Sequence, residues 1–123
     1  MKPYLALAAV ALAMPLSVQA ATPAYPVQLY SFGFNPTPIT LRAGQPVTLV
    51  FTNASGTGHE FKAPAFFRTS KILSGSVSDE GSVELKGHRS ASVTLIPARG
   101  SYPVHCGHFF HSQMGMTSTI VVQ

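Results

Sequence analysis

The chain has 123 residues and a formal net charge of +4, enough length for one domain. Hydrophobic residues make up 46% of it and charged residues only 10%, with ten Gly, ten Pro and a single Cys. The basic residues are scattered rather than gathered in a patch or stripe, which excludes a nucleic-acid binder, and one cysteine excludes an internal disulfide.

Residues 1–20 read as a secretory signal. Met1-Lys2 gives a positive start. Residues 5–14 form an apolar run rich in Ala and Leu, shorter than the roughly 20 residues that span a bilayer. Small residues then mark cleavage after Ala20. The domain would be residues 21–123, with seven basic and four acidic residues and a net charge of +3. We expect it in a bacterial periplasm, without membrane insertion. In that oxidising compartment a lone thiol needs burial, a partner chain or a metal.

Beyond the signal, short alternating runs separated by turn residues predict an all-β sandwich. Residues 26–32 read as a first strand with Val27 and Leu29 on one face, and residues 39–41 as a second. Residues 46–53 form a long β-branched strand, with Pro46 at its start where a missing N–H is tolerated. A small loop leads to a strand opened by His59. Residues 64–73, with Phe66 and Phe67, suit one short helix across a sandwich edge. Residues 82–86 and 90–96 alternate around a turn at Gly87-His88-Arg89, and strands over 101–106 and 117–122 close the chain. The expected total is seven or eight strands.

The stretch SYPVHCGHFFHSQMGM, residues 101–116, holds the only Cys, three of the five His and two of the four Met. Cys106, His111 and Met116 fall in a Cys-x4-His-x4-Met pattern, on a loop between two strands that can wrap one ion. A fourth donor must come from elsewhere, and His59 is better placed than His88 in its polar turn. One thiolate, two imidazoles and a thioether suit copper, the last as a long, weak axial ligand. Structural zinc sites usually use several cysteines. His108 rivals His111, because residues two apart share a face if the chain stays extended past Cys106. With His105, it also offers a second, weaker copper site. Met114 competes with Met116.

His59 after FTNASGTG, followed by YPVHCGHFFHSQMGMTSTIVV, resembles the cupredoxins, the small blue-copper proteins. The ligand-loop spacing is similar to that of the rusticyanin and auracyanin type. The resemblance implies a Greek-key β-sandwich holding one copper ion that cycles between Cu(I) and Cu(II). It makes His59 the N-terminal ligand and Cys106, His111 and Met116 the C-terminal three. Many cupredoxins place Asn after the first His, where its side chain ties the two ligand loops together; here Glu60 follows.

The function expected is one-electron transfer by a monomer that meets redox proteins transiently, through a His111 edge ringed by Phe109, Phe110 and Met114. The alternative is copper sequestration or delivery in copper tolerance, motivated by His105, His108 and Met114. An enzyme is not expected. Copper oxidases need further histidines for a second centre, and a Cys–His hydrolase would leave His59 and Met116 unexplained.

Overall fold

The structure, a computed structural model, describes residues 1–16, 21–108 and 115–123. Residues 1–16 are exposed and carry no regular structure. Among the described residues, no helix is long and apolar enough to cross a membrane. The expected cleavage site at Ala20 lies outside the described residues, as do Phe109, Phe110, His111 and Met114.

Among the described residues, ten strands and one short helix are arranged in chain order. They are β1 (Ala24–Tyr30), β2 (Gly33–Asn35), β3 (Ile39–Leu41), β4 (Val47–Asn53), β5 (His59–Lys62), α1 (Pro64–Thr69), β6 (Lys71–Ser74), β7 (Ser82–Leu85), β8 (Ser90–Ile96), β9 (Gly100–His105) and β10 (Thr117–Val122). They form two five-stranded sheets, in the orders β2-β1-β4-β8-β6 and β3-β10-β9-β5-β7. The architecture is the all-β sandwich expected, with mixed pairing: β1 runs parallel to β4, and β3 parallel to β10.

The period of two along each strand builds the core. Val27 and Leu29 of β1, Leu49 and Phe51 of β4, and Val93 and Leu95 of β8 point inward from the first sheet. Phe61, Val83, Leu85, Val104 and Ile120 face them from the second. Phe61 sits at the centre, with ring centroids 4.7 Å from Phe51, 5.6 Å from Phe34 and 6.1 Å from Phe67. The Tyr102 hydroxyl donates to the carbonyls of Ala98 and Arg99, at 2.9 and 3.1 Å, and anchors the start of β9.

Three details differ from the sequence reading. The run at 26–32 is not one strand: it ends at Tyr30, turns through Phe32 at φ 66° and returns as β2. A left-handed Phe is uncommon, so nothing in the residue type announces the turn. Gly33 comes next because a Cβ there would collide with the Tyr30 ring. The helix expected over 64–73 stops at Thr69. Ser70 sends both its N–H and its hydroxyl back to the Phe66 carbonyl, at 3.1 and 2.7 Å, and is itself extended. Residues Lys71–Ser74 then pair with β8 as an edge strand. β2 and β6 bring the count among the described residues to ten rather than seven or eight.

Phe61 is fully buried among three aromatic rings. Phe61→Ala is expected to lower unfolding stability by about 3–5 kcal/mol, read from the denaturant midpoint.

Candidate metal centre

The site grows out of the core's own alternation. Following Phe51 inward along β4 gives Asn53, and preceding Phe61 along β5 gives His59. Following Tyr102 and Val104 past the end of β9 gives Cys106. Each takes the next inward position, where the apolar core gives way to polar side chains. His59 is 1% exposed and Cys106 and Met116 are fully buried.

Two main-chain hydrogen bonds draw these positions together. The Cys106 N–H donates to the Met116 carbonyl at 3.1 Å, which carries the pairing of β9 with β10 one step further. The Glu60 N–H donates to Cys106 Sγ at 3.4 Å. The connection between the two ligand segments that Glu60 put in question is therefore made by its main chain.

Of the four residues picked from the sequence, the structure brings His59, Cys106 and Met116 to one end of the sandwich. His111 lies outside the described residues. Among the described residues, no three His, Cys, Asp or Glu side chains converge as a metal group. The donor types that do meet here, imidazole, thiol and thioether, are the soft and borderline set that suits copper. His88 stands in an exposed turn at φ 59°, and His105 is half-buried opposite Lys62 on the outer face.

His108 is held differently from a ligand that shares an ion with His59. Its Nε2 lies 3.1 Å from Glu84 Oε1, and its ring centroid lies 6.5 Å from that of His59. Two imidazoles on one near-trigonal ion, with metal–nitrogen bonds of about 2.0 Å, bring their ring centres to about 5–5.5 Å. In this arrangement His108 stands beside the site, with Glu84.

Sequence reasoning missed the residue that organises the His59 loop. Asn53 is 1% exposed and uses its whole side-chain amide. Nδ2 faces the carbonyls of Thr57, Leu85 and Lys86 at 2.7, 3.1 and 3.1 Å. Oδ1 accepts from the Ser55 N–H at 3.0 Å and from the Ser55 hydroxyl at 2.9 Å. The first of these is an Asx turn, and Asn53-Ala54-Ser55 is a sequence signal for one. The loop is also bound to the turn after β7: the His88 N–H donates to the Ser55 carbonyl at 3.0 Å. Gly87 lies so close to the Gly56 backbone that a Cβ would collide with it.

Asn53→Ala would leave buried carbonyls without their donor. It is expected to cost about 2–3 kcal/mol of stability by thermal or denaturant unfolding.

Comparison with known proteins points the same way. A family model described as a cupredoxin-like domain matches residues 3–122. No curated protein matches the sequence. Among solved structures, auracyanin B aligns with a TM-score of 0.60 at 21% identity, over 86% of this chain and 93% of that one. Dithionite-reduced auracyanin from Roseiflexus castenholzii aligns with a TM-score of 0.60 at 17% identity, over 85% and 99%. A multicopper oxidase from Campylobacter jejuni aligns with a TM-score of 0.64 at 10% identity, over 90% of this chain; the chain spans only 32% of that oxidase. At these identities the structural likeness shows the fold, and the family model carries the assignment. The chain belongs to the cupredoxin-like family, and that membership implies copper as its metal.

Proposed function

We propose that the chain is a one-electron carrier whose single copper ion is held by His59, Cys106, His111 and Met116. The observation that carries the proposal is the burial of a thiol, an imidazole and a thioether at one end of the sandwich, with the Glu60 N–H on the sulfur. When bound there, copper supplies a one-electron couple. The protein's part is to hold the donors in place and keep water away. A fold that fixes ligands suited to both oxidation states leaves little to rearrange when an electron passes.

Two further points support a carrier over an enzyme. The auracyanins match over nearly their whole length, and one is described in a dithionite-reduced form. The oxidase is matched over about a third of its own chain, 32%. The signal-like residues 1–20 support a periplasmic carrier. As a monomer it would meet redox proteins there in weak, short-lived encounters.

The Cu(II) protein is expected to show an intense thiolate-to-copper band in the visible. Cys106→Ser and His111→Ala should each abolish it, while His108→Ala should leave it in place. Loss of the band in His108→Ala alone would overturn the ligand set. One copper per chain with a reversible potential supports the carrier. Two or more per chain, passed readily to a chelator, would favour copper handling and point to His108 and Glu84, whose side chains pair at the edge of the site.

A further inference from the structure

We infer that the turn Lys86-Gly87-His88-Arg89, locked onto the loop that delivers His59, is the docking contact for an acidic patch on a partner redox protein. The nature of the partner rests on the carrier reading. The charge and placement of the turn come from this chain alone.

The basic residues are spread through the sequence, and strand register sorts them by end. Thr52 pairs with Ser90 and His59 with Leu85, so the turn joining β7 to β8 stands at the end that holds Cys106 and Met116. Arg42 and Arg99 stand at the other end, next to Leu41 and Gly100, which both pair with Val122. Lys71, opposite Ile96, lies toward that far end as well. Lys86, His88 and Arg89 are all exposed. Among the described residues neither cation of the turn has an ion pair; the salt bridges join Lys62 to Glu80 and His108 to Glu84. The nearby acidic groups are turned elsewhere. Glu84 Oε1 faces His108 Nε2 at 3.1 Å, and the Glu60 carboxylate lies against Gly107. Residues 54–58, beside the turn, carry no charge, and Ala54, Gly56 and Thr57 are exposed.

The turn and the loop are bonded into one unit. The Arg89 N–H donates to the Lys86 carbonyl at 3.1 Å, and the Asn53 N–H donates to the Arg89 carbonyl at 2.9 Å. The Lys86 carbonyl also takes the Asn53 side-chain amide. Gly87 has no room for a Cβ against the Gly56 backbone, so the left-handed position falls to His88, at φ 59°. Glycine or asparagine is the ordinary occupant of that position. A strained, exposed residue points to recognition. A ring N–H and two unpaired cations are a donor set matched to carboxylates. Exposed cations at a docking rim raise the association rate and make it salt-dependent, which suits short-lived encounters.

The test compares two double variants with the same change in net charge, Lys86→Gln/Arg89→Gln at the turn and Arg42→Gln/Arg99→Gln at the other end. Both keep the main chain that bonds Asn53 and Ser55. Metal-free protein is titrated with an octaglutamate peptide and followed by amide NMR shifts, at about 0.1 M ionic strength, where charges more than about 10 Å apart are screened. The largest shifts should fall in 54–58 and 86–89 and fade as salt is added. The peptide's dissociation constant should rise about tenfold in the turn variant, the loss of two exposed ion pairs, and by less than about twofold in the other. In the reduced copper protein, electron loss to ferricyanide, an anion, should slow about threefold in the turn variant only.

Equal losses in both double variants would mean that net charge alone acts, and would overturn the inference. So would an absence of shifts, or shifts centred outside 54–58 and 86–89. Tighter binding to phosphatidylglycerol vesicles than to the peptide, lost in the turn variant, would assign the turn to a lipid surface and overturn it too. If the protein takes up no copper, the proposed function fails, while the metal-free titration still decides the docking contact.

Discussion

The alternation of side chains along a strand is the constraint on which this molecule depends. Each strand that enters the core has only one face to offer it, and every second residue belongs to that face. Asn53, His59 and Cys106 occupy the next inward positions after Phe51, before Phe61 and after Val104. A one-residue slip in β5 would bury Glu60 and send His59 into solvent. The hydrophobic pattern that fixes strand register thus also fixes the donor atoms. The packing of Phe61 against Phe34, Phe51 and Phe67 holds that register from below.

Burying polar groups at the end of an apolar sandwich has a cost unless each finds a partner. Main-chain groups supply most of the partners here. The Thr57, Leu85 and Lys86 carbonyls surround the Asn53 amide, the Glu60 N–H meets the sulfur, and the Met116 carbonyl takes the Cys106 N–H. These groups belong to strands and turns that the rest of the fold already holds. Little motion is then left to the side chains they fix.

Much of this was legible in the chain itself. Alternating runs at 47–53, 82–85 and 90–96 give the sandwich, because half-buried strands leave that trace wherever one face is dry. Soft donors gathered near one end of the sequence mark the candidate site, because few structural roles need Cys, His and Met at close intervals. Other features leave no trace in residue type. Phe32 adopts a left-handed conformation against the habit of its kind, so β2 was hidden. Lys71–Ser74 is exposed at all four positions and shows no alternation, so an edge strand read as the end of a helix. Asn53 carries an ordinary turn signal, but its bonds to Leu85 and Lys86 cross more than thirty residues and depend on β7 lying beside the loop.

At Glu60 the hydrogen bond to Cys106 Sγ comes from the backbone, while the side-chain carboxylate lies against Gly107. The donor to Cys106 Sγ is an amide that every residue except proline possesses. Position 60 can therefore change its side chain over evolutionary time without giving up the bond to sulfur. A charge at that position, close to the centre but not part of it, becomes an adjustable setting. Variation at this position is therefore free to alter the charge beside Cys106 while the backbone bond to its sulfur stays in place.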